Sequence, residues 1–147
     1  MIDAENEIYD RVADRLRETF DGIGVAGEFV LSPSQFPFVS IVEADNAPLQ
    51  KTQTSTSAEN HATLMYEINM YSNRAKGKKA ECKSIAGVID EEMAAMGFTR
   101  MMLEPIPNAR DATIYRMVSR YRAVISKDKT VYRRELSWRS ALTRYSS

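Results

Sequence analysis

The sequence is poor in the residues on which most enzymes and metal proteins depend. It holds one cysteine, Cys82, and one histidine, His61. A single thiol makes neither an intramolecular disulfide nor a cysteine metal site, and a single imidazole rules out two-histidine metal sites. The lone cysteine also fits synthesis in a reducing cytoplasm. No apolar run approaches the roughly 18 residues that cross a bilayer. The N-terminus, Met1-Ile2-Asp3-Ala4-Glu5-Asn6-Glu7, is acidic and lacks the basic and apolar regions of a signal peptide. Glycines sit mostly at turns and helix ends, and no phosphate-binding loop or dinucleotide fingerprint occurs. Net charge is absent as well, with 20 acids against 20 lysines and arginines.

What is there suits one globular domain. With 147 residues, 44% hydrophobic and 27% charged, the chain is long enough to bury a core and far from the composition of disordered proteins. The charge is unevenly spread. Residues 1–22 carry seven acids against three arginines, and residues 100–147 carry eleven bases against four acids. Such a gradient suits solvated faces, nucleic-acid contact, or head-to-tail contact between copies.

Hydrophobic spacing predicts a first helix with Ile8, Tyr9, Val12, Leu16 and Phe20 on one face, Asp3 as N-cap, and a stop at Asp21-Gly22-Ile23-Gly24. Strands are expected over Glu28–Leu31, Phe36–Glu43 and Ala62–Tyr71. The polar stretch from Ala44 to His61 reads either as a mobile loop or as an ordered arm extending both strands. A second helix carries Cys82, Ile85, Ile89, Met93 and Met96 on one stripe. Ser72 or Asn73 is its expected cap, its start is expected nearer Lys79, and Met96-Gly97-Phe98 marks its end. Further strands follow over Thr99–Glu104, running into a Pro105–Asn108 turn, and over Ala112–Ile125. The order α-β-β-β-α-β-β implies an α+β two-layer sandwich, a mostly antiparallel sheet packed against two helices. Residues 1–126 read as that domain and 127–147 as a basic, weakly patterned tail.

His61 stands at a loop-to-strand junction with no catalytic partner nearby. Cys82 falls on an apolar stripe, where a thiol serves packing. Glu81-Cys82-Lys83 has the Glu-x-Lys spacing of some metal-dependent nucleases, with Asp45 far upstream, but it lies on a helix rather than at converging strand ends. Asp90-Glu91-Glu92 reads as a solvated helix surface. Arg116, Arg120 and Arg122 form a stripe on one strand face. With aromatic residues expected on the opposite face, that stripe is no base-stacking platform and reads as a solvated or protein-facing basic surface.

Four stretches carry a family resemblance: Gly27–Glu43 (GEFVLSPSQFPFVSIVE), Glu59–Asn73 (ENHATLMYEINMYSN), Val88–Arg100 (VIDEEMAAMGFTR) and Asp111–Val124 (DATIYRMVSRYRAV). From Gly27 to Arg134 the chain resembles the tail-terminator, or tail-completion, proteins of long-tailed bacteriophages and prophages. The resemblance implies a structural virion protein rather than an enzyme, with no cofactor and no metal. It implies a ring of copies, commonly a hexamer, capping the finished tail tube at the head–tail junction after assembly in the bacterial cytoplasm. The implied partners are other copies, the tail-tube protein and a head-completion or connector protein. DNA only passes through the ring, and no membrane is involved. A head-completion or connector component is the alternative, and a small nucleic-acid-binding or processing protein a more distant one. A ring needs two unlike surfaces per subunit. The expected interface residues are Asp14 and Glu18 on the acidic helix, Lys51, Thr52, Gln53 and Thr54 in the long loop, and Arg116, Arg120 and Arg122 on the basic strand.

Overall fold

The computed structural model describes residues 1–49, 60–108 and 111–129 in full and residues 131–132 by their backbone. Helix α1 (Glu5–Thr19) turns the expected stripe inward: Ile8, Val12 and Leu16 are buried with Ala13, while Tyr9 and Phe20 pack at the margin of the core. The N-cap position falls on Ala4 rather than Asp3. Asp3 acts one residue earlier, its Oδ1 accepting the Glu5 N–H at 3.1 Å. A carboxylate thus still satisfies one of the helix's orphan donors.

The strands are β1 (Gly24–Ala26), β2 (Phe38–Pro48), β3 (His61–Ser72), β4 (Thr99–Ile106), β5 (Tyr115–Ser126) and β6 (Val131–Tyr132). They form one sheet in the order β1-β2-β3-β5-β4, with β6 beside β5. β1 pairs parallel to β2, and the other pairings are antiparallel. Helices α1 and α2 (Lys78–Ala95) lie on the same face, so the fold is the expected α+β arrangement in the expected order of elements. Val39, Ile41, Leu64, Ile68, Met70 and Tyr121 supply the sheet side of the core. Tyr66 meets Phe98 edge-on, ring centroids 5.6 Å apart, and its hydroxyl donates to Glu43 Oε1 at 3.3 Å.

Several boundaries differ from the sequence reading, each for a tertiary reason. The first strand is Gly24–Ala26, not Glu28–Leu31. Gly24 can lie against β2 because it has no side chain, since a Cβ there would meet Phe38 Cδ2 at 2.6 Å. Residues 28–31 instead cross the sheet as a strap, with the Val30 carbonyl accepting from the Tyr71 hydroxyl at 3.1 Å. β2 begins after a cis Phe36–Pro37 peptide and continues through a bulge between Glu43 and Asp45 as far as Pro48, which pairs with Ala62. Both ends of the Ala44–His61 stretch are therefore ladder. Residues 50–59, with Lys51, Thr52, Gln53 and Thr54, lie outside the described residues, as does the choice between loop and arm. The Pro105–Asn108 turn begins later than expected, because Pro105 and Ile106 still pair with Met117 and Arg116. Val131–Tyr132, from the basic tail, forms β6, and the tail from residue 133 on lies outside the described residues.

Helix α2 starts at Lys78, one residue before the expected Lys79, so that Lys78 and Lys79 stand in the first turn against the dipole, and neither Ser72 nor Asn73 caps it. Gly77, at φ 84°, holds the N-cap position without a side-chain bond. Ser72 reaches the first turn another way, its Oγ donating to Glu81 Oε1 at 2.6 Å. At the other end Gly97 adopts φ 99°. The Phe98 N–H bonds to Met93 O at 2.9 Å and the Gly97 N–H to Ala94 O at 3.0 Å, the paired bonds of a Schellman cap.

Parts of the sheet's margins are blocked. At β1 the outward Val25 carbonyl accepts from the Tyr9 hydroxyl at 3.2 Å. At β4 a bulge between Arg100 and Met102, followed by Pro105, interrupts the free edge. Among the described residues no helix is long and apolar enough to cross a membrane.

Candidate functional site on the arginine face of the sheet

Alternation along β5 sends Met117, Tyr121, Ala123 and Ile125 into the core, and therefore sends Arg116, Arg120 and Arg122 to the face without helices. Register then decides what each arginine meets. Arg116 stands opposite Tyr71, Arg120 opposite Glu67 and Arg122 opposite Met65 on β3.

The three arginines are not equivalent. Arg116 is half-buried; its Nε donates to Asn69 Oδ1 at 2.9 Å, and its guanidinium carbon sits 5.5 Å from the Phe29 ring centroid and 5.7 Å from that of Tyr71. Cation–π contacts of this kind contribute about 0.5–2 kcal/mol. Tyr71 also packs against Phe38, ring centroids 6.2 Å apart. Burial raises the Tyr71 hydroxyl pKa, an effect that Arg116 opposes and the Glu67 charge reinforces. Arg120 is exposed and forks onto Glu67 Oε1 at 3.0 and 3.1 Å. Such a surface pair contributes about 0–1 kcal/mol. Arg122 is exposed.

The expectation that aromatic residues lie on the opposite face holds for Tyr115 and Tyr121 of β5 itself and fails for the sheet as a whole. Phe29, Phe38 and Tyr71 share the arginine face, although two of the rings are engaged with Arg116 and Tyr71 is buried. The β3 partners Glu67, Asn69 and Tyr71 follow from period-2 alternation. Phe29 does not, because only the strap's path over the sheet brings it there. Beneath the strap, Ser40 and Asn69 are register partners across β2 and β3. Both are fully buried, and among the described residues Ser40 Oγ and Asn69 Nδ2 have no hydrogen-bond partner. Such orphaned groups are costly and uncommon.

The acidic residues lie on the other side of the domain. Asp14 and Glu18 are exposed on α1, and Asp14 pairs with Arg17 at 3.8 Å. Asp90, Glu91 and Glu92 are not simply solvated; they accept the bonds of neighbouring elements. Glu92 takes Arg11 at 2.9 Å and Arg15 at 3.6 Å, Glu91 takes Arg15 at 3.9 Å, and Asp90 takes Arg100 at 3.3 Å and the Tyr121 hydroxyl at 3.0 Å. Part of what α1 contributes is thus a charged seam with α2.

The remaining candidates do not converge. Glu81 is engaged with Ser72 and, at 3.6 Å, with Arg74. Lys83 is exposed on the same helix, and Asp45 follows the β2 bulge. Cys82 is buried, its thiol directed at the Met70 and Tyr115 carbonyls at 3.8 and 3.7 Å. Burial, aided by the Glu81 charge, pushes its pKa up to about 12 and suppresses the nucleophilic thiolate at neutral pH. His61 opens β3 opposite Ser126. Among the described residues, no group of three or more histidine, cysteine, aspartate or glutamate side chains is placed to hold a metal ion.

The domain therefore presents two unlike surfaces, an acid-bearing outer face of α1 and an arginine row on the opposite side of the sheet. No protein-family model matches the chain, and neither does any curated protein.

Proposed function

We propose that the chain is a structural subunit of a long-tailed bacteriophage: a tail-terminator, or tail-completion, protein that closes the tail tube as a ring and offers the surface to which the filled head joins. The observation that carries this reading is the placement of Asp14 and Glu18 on one side of the domain and of Arg120 and Arg122 on the other. A closed ring of identical subunits needs two different, complementary patches on each copy, directed to opposite neighbours. The resemblance from Gly27 to Arg134 and the order of elements support the same reading. Charge orients such contacts and discourages wrong ones, while apolar contacts carry most of the affinity. The work is assembly, and it requires no bond to be made or broken.

Purified protein, alone and mixed with its tail-tube protein, tests the proposal by light scattering and electron microscopy. The expected result is a ring seated on tube ends, formed by a subunit that is monomeric or weakly associated alone. A chain that leaves tube length unchanged and never caps a tube end would sink the reading. So would divalent-metal-dependent DNA cleavage that is abolished by Glu81→Ala with Lys83→Ala.

A further inference from the structure

A groove of about 420 Å³ opens between α1 and the C-terminal end of α2. Ile8, Met96, Phe98 and Ile125 contribute its apolar walls, and Ala95 stands exposed at its lip. The nearby charges are matched within the fold, Glu7 with Lys129 and Arg11 with Glu92. Such a groove gains from an apolar side chain and has little to offer a free ion.

The end of β6 lies near this groove. β6 pairs with Val124 and Ile125, while β4 holds the same side of β5 from Thr99, opposite Arg122, onward. Tyr132, opposite Val124, thus stands near the start of β4, beside which Phe98 forms part of the groove wall. Residues 133–147 follow. Within this weakly patterned stretch, Trp138, Ala141, Leu142 and Tyr145 recur at the i, i+3, i+4, i+7 spacing of one apolar helical face. The stretch carries four arginines against Glu135 alone, whereas residues 1–22 carry seven acids against three arginines. Asp3, Glu5 and Asp10 are exposed at and beside the start of α1.

We infer that the groove between α1 and α2 seats the chain's own C-terminal segment, with the Trp138 indole as its anchor and the segment's net positive charge matched by the acids at the start of α1. Trp138 is the sole tryptophan, so its fluorescence reports on this docking directly. In the full chain its emission is blue-shifted, protected from acrylamide, and unchanged on dilution. Ala95→Arg fills the lip with bulk and positive charge at a helix end where a base suits the dipole. It moves the emission to that of exposed indole while far-UV dichroism stays the same. Leu142→Asp, which alters only the segment, gives the same red shift. Exposed-indole emission from the parent chain overturns the inference. A blue shift lost on dilution overturns it too, because the indole then sits on another copy. A blue shift that survives both substitutions means that the indole is held elsewhere.

Discussion

Arg116 and Asn69 are joined across β5 and β3, the guanidinium Nε donating to the amide Oδ1 at 2.9 Å while the same side chain lies over the rings of Phe29 and Tyr71. That makes Arg116 a clamp between the strap and the sheet. Arg116→Ala should destabilise the domain by about 1–3 kcal/mol, from the lost charged hydrogen bond and ring contacts. Arg116→Lys should recover only part, since an ammonium lacks the planar face that stacks on two rings. Urea midpoints measure both, and an Arg116→Ala protein as stable as the parent would remove the clamp.

Arg122 is the cleaner probe of assembly. Arg122→Glu should change folding stability by no more than about 0.5 kcal/mol, as for most exposed sites, and yet weaken ring formation. Arg120→Glu is less informative, because it also sets two carboxylates side by side at Glu67. Combining Arg122→Glu with Asp14→Lys and Glu18→Lys should restore assembly if these surfaces meet. Normal assembly of the single reversal at both low and moderate salt leaves the arginine row a solvated surface.

Glu43 gives a pH signature. Its pKa is raised, first by burial and then by the Glu5 charge, with Asp3 adding to this and bonds involving Tyr66 and Asn46 opposing it. The unfolded chain therefore loses this proton first as pH rises. Stability from this group is greatest where both states are protonated, and it falls as pH climbs through the ordinary carboxylate range to the raised folded value. Glu43→Gln should be more stable than the parent at neutral pH, with the advantage vanishing below that range. Thermal midpoints of both proteins across the window check this. An advantage that is equal at every pH points to packing instead.

Replacing residues 50–59 with a short Gly/Ser linker should leave the thermal midpoint within about a few degrees while impairing tail-length control. Removing 45–60 instead should cost much more, because Asp45–Pro48 pair with Met65–Ala62 in the ladder. Equal losses from the two replacements would place core contacts inside 50–59.

The legible parts of this fold were those written in local periodicity. The stripes of α1 and α2 and the alternation of β3 and β5 gave the helices, the arginine face and the order of elements. Strand ends were less legible, because pairing rather than composition sets them: Pro105 stays in β4 because Met117 is opposite, and Pro48 stays in β2 because Ala62 is. The strap was misread as a strand, since Phe29 and Val30 have strand-like chemistry but meet only side chains and a hydroxyl on the sheet. The candidate site was half visible for the same reason. Alternation placed the arginines, but only three-dimensional contact shows that Arg116 is committed to the fold and Arg120 to Glu67.

The Tyr9 hydroxyl at β1 and the bulge with Pro105 at β4 each interrupt part of the sheet's edge. An extended peptide added at either of these places would meet an occupied carbonyl or an interrupted ladder instead of a continuous row of free backbone groups. In the proposed ring, recognition between copies rests on side chains of the two faces, where single substitutions can edit it. Resistance to runaway strand addition thus begins with a few residues at the sheet's margins, apart from the faces that carry the charge.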